Sequence, residues 1–346
     1  MACRAEREAG SLPRRGLRGT DHPAFSLPIM KTIQRLAKTG RGGLLGLTAV
    51  WLVWAGMGMA GAQDAPGSLK VPDGVMFEKG VTYGTAAGQA LLLDLAKPKE
   101  GAGPFPALVL VHGGGWAAGD RSSYHEPMLA WAKQGIVCVS VDYRLAPQFK
   151  FPCQIEDVKC AVRWVRANAG KYQVDADRIG ALGGSAGAHL VGLLGTTSGS
   201  GKWEGEGGHA GQSSAVRLMV CHGIPSDLLM GYLESTQQRE PESGQVRSIL
   251  TNFLGVTPDQ GKAVYVEASP VHYVSKTSPP ALLLHGSDDP LVPVKQAEVF
   301  AAALEKQGTV VELVKMEGAG HGGFGKDPAR TLARLNAFLV KHLLKP

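Results

Sequence analysis

Apolar positions in this chain gather into short, nearly unbroken runs separated by longer amphipathic stretches. The runs are Ala107-Leu108-Val109-Leu110-Val111-His112, Ile136-Val137-Cys138-Val139-Ser140-Val141-Asp142, Arg178-Ile179-Gly180-Ala181-Leu182, Val216-Arg217-Leu218-Met219-Val220-Cys221-His222, Ala281-Leu282-Leu283-Leu284-His285 and Val310-Val311-Glu312-Leu313-Val314. A strand wet on one face alternates polar with apolar. These runs barely alternate, which predicts strands covered on both faces. Between them, Ile155, Val158, Ala161, Val162 and Val165 recur at helical spacing within 152–169. Further helices are expected around 123–134, from Ala188 to Leu194, and around 294–307 and 328–344. Strand–helix alternation of this kind predicts a mostly parallel central sheet with helices on both faces. Upstream, Val81–Gly84 and Ala90–Leu95 flank Thr85–Gln89 and predict an antiparallel hairpin at the sheet edge. Residues 63–80 read as a polar lead-in, and Pro98–Pro106 as a loop.

Two stretches break the rhythm. Thr196–Ser214 is rich in Gly and Ser, with one tryptophan, Trp203, and reads as a surface loop. Residues 225–277 hold helical pieces around 226–235 and 243–254. An insertion of that length at the carboxyl edge of the sheet is expected to act as a small cap, the alternative being a crossover helix with a long loop.

Composition changes the picture mainly at the N-terminus. The 346 residues carry a formal charge of +6, with 44% hydrophobic residues. Residues 1–62 hold nine Lys/Arg and three Asp/Glu, which leaves 27 of each from residue 63 onward. A body so balanced has no basic stripe, so a nucleic-acid partner is not expected. Lys31, Arg35, Lys38 and Arg41 precede an uncharged run from Gly42 to Ala62 that ends Ala60-Gly61-Ala62. This order predicts a secretory signal peptide cleaved after Ala62, a secreted or periplasmic protein, and no membrane insertion after cleavage. An uncleaved anchor is the alternative, because the run approaches spanning length. Residues 1–29 lie ahead of Met30, where a start would restore an ordinary leader length. The expected division is therefore an N-terminal extension and leader over 1–62 and one catalytic domain over 63–346. Beyond the leader stand Cys138, Cys153, Cys160 and Cys221. Cys138 and Cys221 lie in apolar runs and read as small buried hydrophobes. Cys153 and Cys160, seven apart on one helix, are too far from each other to bond. No Cys/His spacing suggests a metal site.

The chemistry centres on Gly183-Gly184-Ser185-Ala186-Gly187, which follows a strand and opens a helix. That context suits a nucleophile elbow, in which flanking glycines let strand and helix pass closely while the serine is held outward. A serine hydroxyl needs a base, and the base an orienting carboxylate. After the run 281–285 comes Gly286-Ser287-Asp288-Asp289-Pro290, and after 310–314 comes Glu317-Gly318-Ala319-Gly320-His321-Gly322-Gly323. His321 is the expected base. Asp289 is the expected carboxylate, with adjacent Asp288 capping the turn. His112, His189, His222 and His285 are expected to be structural, and His209 and His272 carry no partner signal. The developing oxyanion needs fixed N–H donors. Ala186, at the helix start, supplies one. Gly114 and Gly115 of His112-Gly113-Gly114-Gly115-Trp116 supply the others, with Gly113 a further option. Trp116 either walls the acyl pocket or packs.

These motifs resemble those of the α/β-hydrolase superfamily, in particular the hormone-sensitive-lipase-like carboxylesterases. The likeness runs over roughly 75–345. It is carried by His112-Gly113-Gly114-Gly115-Trp116, Asp142-Tyr143-Arg144-Leu145-Ala146-Pro147, Gly183-Gly184-Ser185-Ala186-Gly187-Ala188-His189 and His285-Gly286-Ser287-Asp288-Asp289. That group usually reads G-D-S-A-G-G at the elbow, where Gly184 and Ala188 stand here. Ser-Ala-Gly-Ala-His after His-Gly-Gly-Gly-Trp looks closer to the branch containing bifunctional feruloyl and acetylxylan esterases. The resemblance implies an α/β-hydrolase fold and a Ser185-Asp289-His321 triad needing no cofactor or metal. It also implies activity on short-chain acyl or carbohydrate esters, on a small molecule or a polysaccharide. An amide hydrolase on the same triad is the alternative within enzymes. A non-catalytic binding module is the alternative outside them.

Overall fold

The structure, a computed structural model, describes residues 69–236 and 242–345. The leader and its cleavage point after Ala62 lie outside the described residues. Among the described residues eight strands form one sheet: β1 (Val75–Ala86), β2 (Gln89–Pro98), β3 (Phe105–Val111), β4 (Val137–Val141), β5 (Val174–Gly184), β6 (Met219–His222), β7 (Ala281–Gly286) and β8 (Val311–Met316). Their spatial order is β1-β2-β4-β3-β5-β6-β7-β8. β1 and β2 pair antiparallel, β2 joins β4 antiparallel, and all later pairs are parallel.

The long helices are α1 (His125–Lys133), α2 (Cys153–Ala167), α3 (Ala186–Thr196), α4 (Leu228–Ser235), α5 (Glu242–Leu254), α6 (Pro258–Glu267), α7 (Lys295–Lys306) and α8 (Pro328–Leu339). Burial on both faces explains the unbroken apolar runs. In β3, Ala107, Val109 and Val111 enter one core with α2, α3 and α7, while Leu108 and Leu110 enter a second core with α1 and α8. β7 divides likewise, Ala281 and Leu283 to one side, Leu282 and Leu284 to the other. The start of α8 follows from local chemistry. Asp327 accepts a hydrogen bond from Arg330 N at 3.0 Å and Pro328 occupies the first turn, where its missing N–H costs nothing.

Four features differ from the pattern-based reading. β1 begins at Val75, inside the expected lead-in, because bulges at Glu78/Val81 and Thr82/Gly84 scramble its alternation. The hairpin turns on Ala87 and Gly88, both at positive φ, a tight two-residue connection. α6 was not expected. Gly261 (φ −161°, ψ 62°) interrupts its period, although Pro258 and the Thr257–Gln260 capping box were readable start signals. The Gly/Ser-rich stretch 196–214 closes down on α2. Lys159 Nζ there donates to Thr197 O (3.3 Å), Lys202 O (2.6 Å) and Glu204 Oε1 (3.0 Å), and Arg163 Nη1 donates to Glu204 Oε2 (2.6 Å). Both cations are thereby fully buried. The four described cysteines are free, with Cys138, Cys160 and Cys221 buried.

The segment between β6 and β7 carries α4, α5 and α6, and its two ends are stitched together. Ser269 Oγ accepts from Leu228 N (2.9 Å) and donates to Tyr265 O (2.7 Å), and Val271 N donates to Ser226 O (3.2 Å). Gln296 of α7 clasps the entry: its Oε1 accepts from Ser226 N and Asp227 N, both at 2.8 Å.

Candidate active site

Backbone crowding determines the shape of the elbow. A Cβ on Gly187 would lie 2.0 Å from Val111 O, and one on Gly183 would lie 2.4 Å from the Gly187 backbone, so both positions admit only glycine. Ser185 between them takes φ 54°, ψ −120°, a conformation that L-residues resist. It is held there in part by its own N–H, which donates to His222 O at 2.7 Å. Gly184, which stands where the resembling group has Asp, is different. A Cβ there would meet only Tyr124 Oη at 3.5 Å, an ordinary contact.

The structure brings three sequence-predicted side chains together. His321 Nε2 lies 2.9 Å from Ser185 Oγ, and His321 Nδ1 lies 2.7 Å from Asp289 Oδ2. Asp289 Oδ1 accepts from Leu291 N (3.0 Å) and Val292 N (2.9 Å). Burial works to raise the Asp289 pKa. The His321 hydrogen bond and charge, with the Val292 amide, outweigh it and hold the carboxyl below its ordinary value. Asp288 is exposed and accepts from Ser287 Oγ at 2.6 Å, a turn contact. The loops bearing Asp289 and His321 are sewn together by Asp288 N to Ala319 O (3.0 Å) and Gly318 N to Ser287 Oγ (2.9 Å). Two more histidines flank the carboxylate. His285 Nε2 donates to Val292 O at 2.7 Å and sits 3.6 Å from Asp289 Oδ2. His222 is buried against Phe324, and burial, reinforced by nearby His321, pushes its imidazole down to about 4.

Gly114 (φ 106°) and Gly115 (φ 60°) curl the loop after β3 around the same space. A Cβ on Gly114 would meet Ala118 O at 2.2 Å. Gly113 is fastened instead by its carbonyl, which accepts from His112 Nδ1 at 2.8 Å. Tyr143 stacks on His112 with centroids 4.2 Å apart and donates to His112 O at 3.0 Å. The Asp142–Pro147 segment thus buttresses the glycine loop. Gly114, Gly115, Ser185, Ala186 and His321 line one cavity of about 300 Å³. Most of the remaining lining is apolar, with Leu228, Val246, Ile249 and Leu250 from α4 and α5 and with Leu291 and Val292, while Asp227, Gln245 and Gln296 add polar groups. Trp116 both lines this cavity and packs, stacked on Phe253 of α5 at 4.2 Å. Motif reading missed the contribution of α5, whose residues reach the cavity only through long-range packing. It also missed the part played by His189. That ring is buried, with Nε2 2.7 Å from Ala268 O and Nδ1 3.3 Å from Trp116 Nε1. His209 and His272 are exposed and away from the cavity wall. Among the described residues no cluster of three or more His, Cys, Asp or Glu is arranged to hold a metal ion.

Comparison with known proteins gives concordant likenesses. The BD-FAE family model matches residues 93–304. Esterase LipC of Mycobacterium tuberculosis is 34% identical over 255 residues, 72% of this chain and 61% of LipC. Among solved structures, a truncated carbohydrate esterase from gut microbiota superposes with a TM-score of 0.67 at 26% identity, covering 78% of this chain and 97% of that one. The propionate-bound esterase Est2 of Thermogutta terrifontis superposes with a TM-score of 0.61 at 29% identity, covering 78% and 94%. The chain spans about three fifths of the length of the curated relatives it matches.

Proposed function

We propose that this chain, which belongs to the BD-FAE family of α/β-hydrolase carboxylesterases, hydrolyses carboxylic esters through an acyl-enzyme on Ser185. The observation that carries the reading is the unbroken chain Ser185 Oγ–His321–Asp289 (2.9 and 2.7 Å) at the wall of an apolar cavity. Ser185 Oγ attacks the ester carbonyl and its proton passes to His321 Nε2. Asp289 holds the imidazole in orientation and stabilises its cation. The N–H groups of Gly114, Gly115 and Ala186 receive the negative oxygen of the tetrahedral intermediate. Collapse expels the alcohol, which takes the proton from His321. Water, deprotonated by the same nitrogen, then cleaves the acyl-enzyme to the carboxylic acid and restores Ser185.

The substrate part of the proposal is a small neutral acyl group, acetyl to butyryl or feruloyl, on a small molecule or a carbohydrate. The apolar wall favours such groups, and among the described residues no Lys or Arg lines the cavity to receive an anionic one. The helical segment 225–277 acts as a cap in this reading, and the leader exports the protein. Hydrolysis of p-nitrophenyl acetate, butyrate, octanoate and ferulate by residues 63–346 tests it, with Ser185→Ala alongside. The expected result is turnover of the short or feruloyl esters that falls about 10⁴-fold or more in the variant. Undiminished turnover in Ser185→Ala would remove the serine from the mechanism. N-terminal sequencing of the exported protein checks cleavage after Ala62.

A further inference from the structure

The elbow helix, the glycine loop and the base of the helical insertion meet at one buried imidazole. His189 stands one turn after Ser185 on α3, and its N–H donates to Ser185 O at 3.0 Å. Its ring is fully buried. Ala268 O can only accept, so His189 Nε2 carries the hydrogen of the 2.7 Å contact. Nδ1 is then an acceptor, and the Trp116 indole N–H, 3.3 Å away, donates to it. Burial pushes this imidazole down to about 4, so near neutral pH Nδ1 keeps its lone pair. Trp116 needs holding. It directly follows Gly115 and takes φ 58°, a left-handed conformation that a bulky residue adopts only under constraint. Its constraints are the His189 bond, the Phe253 stack and the bond from Ala146 N to its carbonyl at 2.8 Å. Ala268 lies at the end of α6, beside Ser269, which joins the two ends of the insertion.

We infer that His189 is a positioning residue: it fixes Trp116, and with it the Gly114 and Gly115 amides, relative to Ser185 and to the base of the insertion. The inference rests on the serine-esterase reading above. On that reading a displaced amide weakens the transition state more than the bound ester, so loss of His189 should appear in kcat rather than KM. The test is kcat and KM for p-nitrophenyl butyrate, with thermal melting, in His189→Ala, His189→Asn, His189→Gln, Trp116→Phe and the Trp116→Phe/His189→Ala double variant. Asn offers an oxygen near the Nδ1 position, whereas Gln offers an amide near Nε2.

We expect kcat to fall about 10-fold in His189→Ala and Trp116→Phe with KM within about 2-fold. Asn should recover most of that loss and Gln little of it, and the double variant should be no slower than His189→Ala. Wild-type kcat in folded His189→Ala or in Trp116→Phe would overturn the inference. So would losses that multiply in the double variant, or a change confined to KM. If His189→Ala does not fold, Trp116→Phe decides, since it keeps the imidazole and an aromatic ring on Phe253. Ser185→Ala separates the two levels. Activity surviving in it defeats the esterase reading, whereas activity lost there but intact in the His189 and Trp116 variants defeats this inference alone.

Discussion

Two ionic clusters stand at the two ends of α3, one reaching Ser185 just before it and the other Thr197 just after it, and only one of them suits chemistry. At the carboxyl edge, the Asp289 carboxylate sits among the rings of His321, His285 and His222. Beneath 196–214, two cations, Lys159 and Arg163, share the single carboxylate of Glu204. Both clusters hold buried groups with perturbed protonation: burial lowers the Lys159 pKa as it lowers those of His222 and His285. Burial and a shifted pKa therefore do not mark a site. The first cluster ends on Ser185 Oγ, an atom able to form and break a bond, at a cavity wall. The second ends on the carbonyls of Thr197, Lys202 and Gly208 and clamps a glycine-rich stretch.

The contrast can be broken by substitution. Asp289→Asn should lower kcat about 10⁴-fold, because the amide cannot orient and stabilise the imidazolium; pre-steady-state acylation of p-nitrophenyl acetate measures it. Gly114→Ala should cost about 10²–10³ in kcat, since its Cβ would press on Ala118 O and turn the loop amides away. A Gly114→Ala variant with wild-type kcat would remove that loop from oxyanion binding. Glu204→Gln should leave kcat unchanged and lower stability by about 3 kcal/mol in urea unfolding, because two buried cations lose their charge partner. The lower end of the usual cost applies because the Glu204 side chain is 35% exposed.

The smallest effect concerns pH. His189 and His222 fall from an ordinary 6.5 to about 4 in the folded protein. Between these values the unfolded chain binds more protons than the folded one, so stability is lost as pH falls from 6.5 toward 4. The slope is at most about 1.4 kcal/mol per pH unit for each histidine. His189→Asn should flatten the profile by about that amount, measured by urea unfolding from pH 4.5 to 7. Asp289 adds the same sign lower down, because its depressed pKa keeps its contribution until the pH drops below the ordinary carboxylate range.

Local chemistry made much of this legible. β3 and β7 were readable because burial on both faces leaves an unbroken apolar run. The elbow was readable because close backbone approach demands glycines at fixed offsets from the serine. β1 was partly hidden by its bulges, and α6 by Gly261. Lys159 and Arg163 belong to the polar side of α2 in any periodicity argument. They are buried because a distant stretch folds over them.

Readable from the chain itself were the parallel strands of the sheet, the turn that bears Ser185, and the order in which serine, aspartate and histidine follow their strands. Those are properties of neighbouring residues, set by side-chain period and backbone sterics. Tertiary structure alone decided that β4 lies between β2 and β3, and that Asp289 rather than exposed Asp288 faces His321. It also decided that α5 walls the cavity and that His189 reaches Trp116. Ser185 and His321 are 136 residues apart, and His189 and Trp116 are 73 apart. Contacts across such separations depend on how the layers pack, which the local hydrophobic period does not encode.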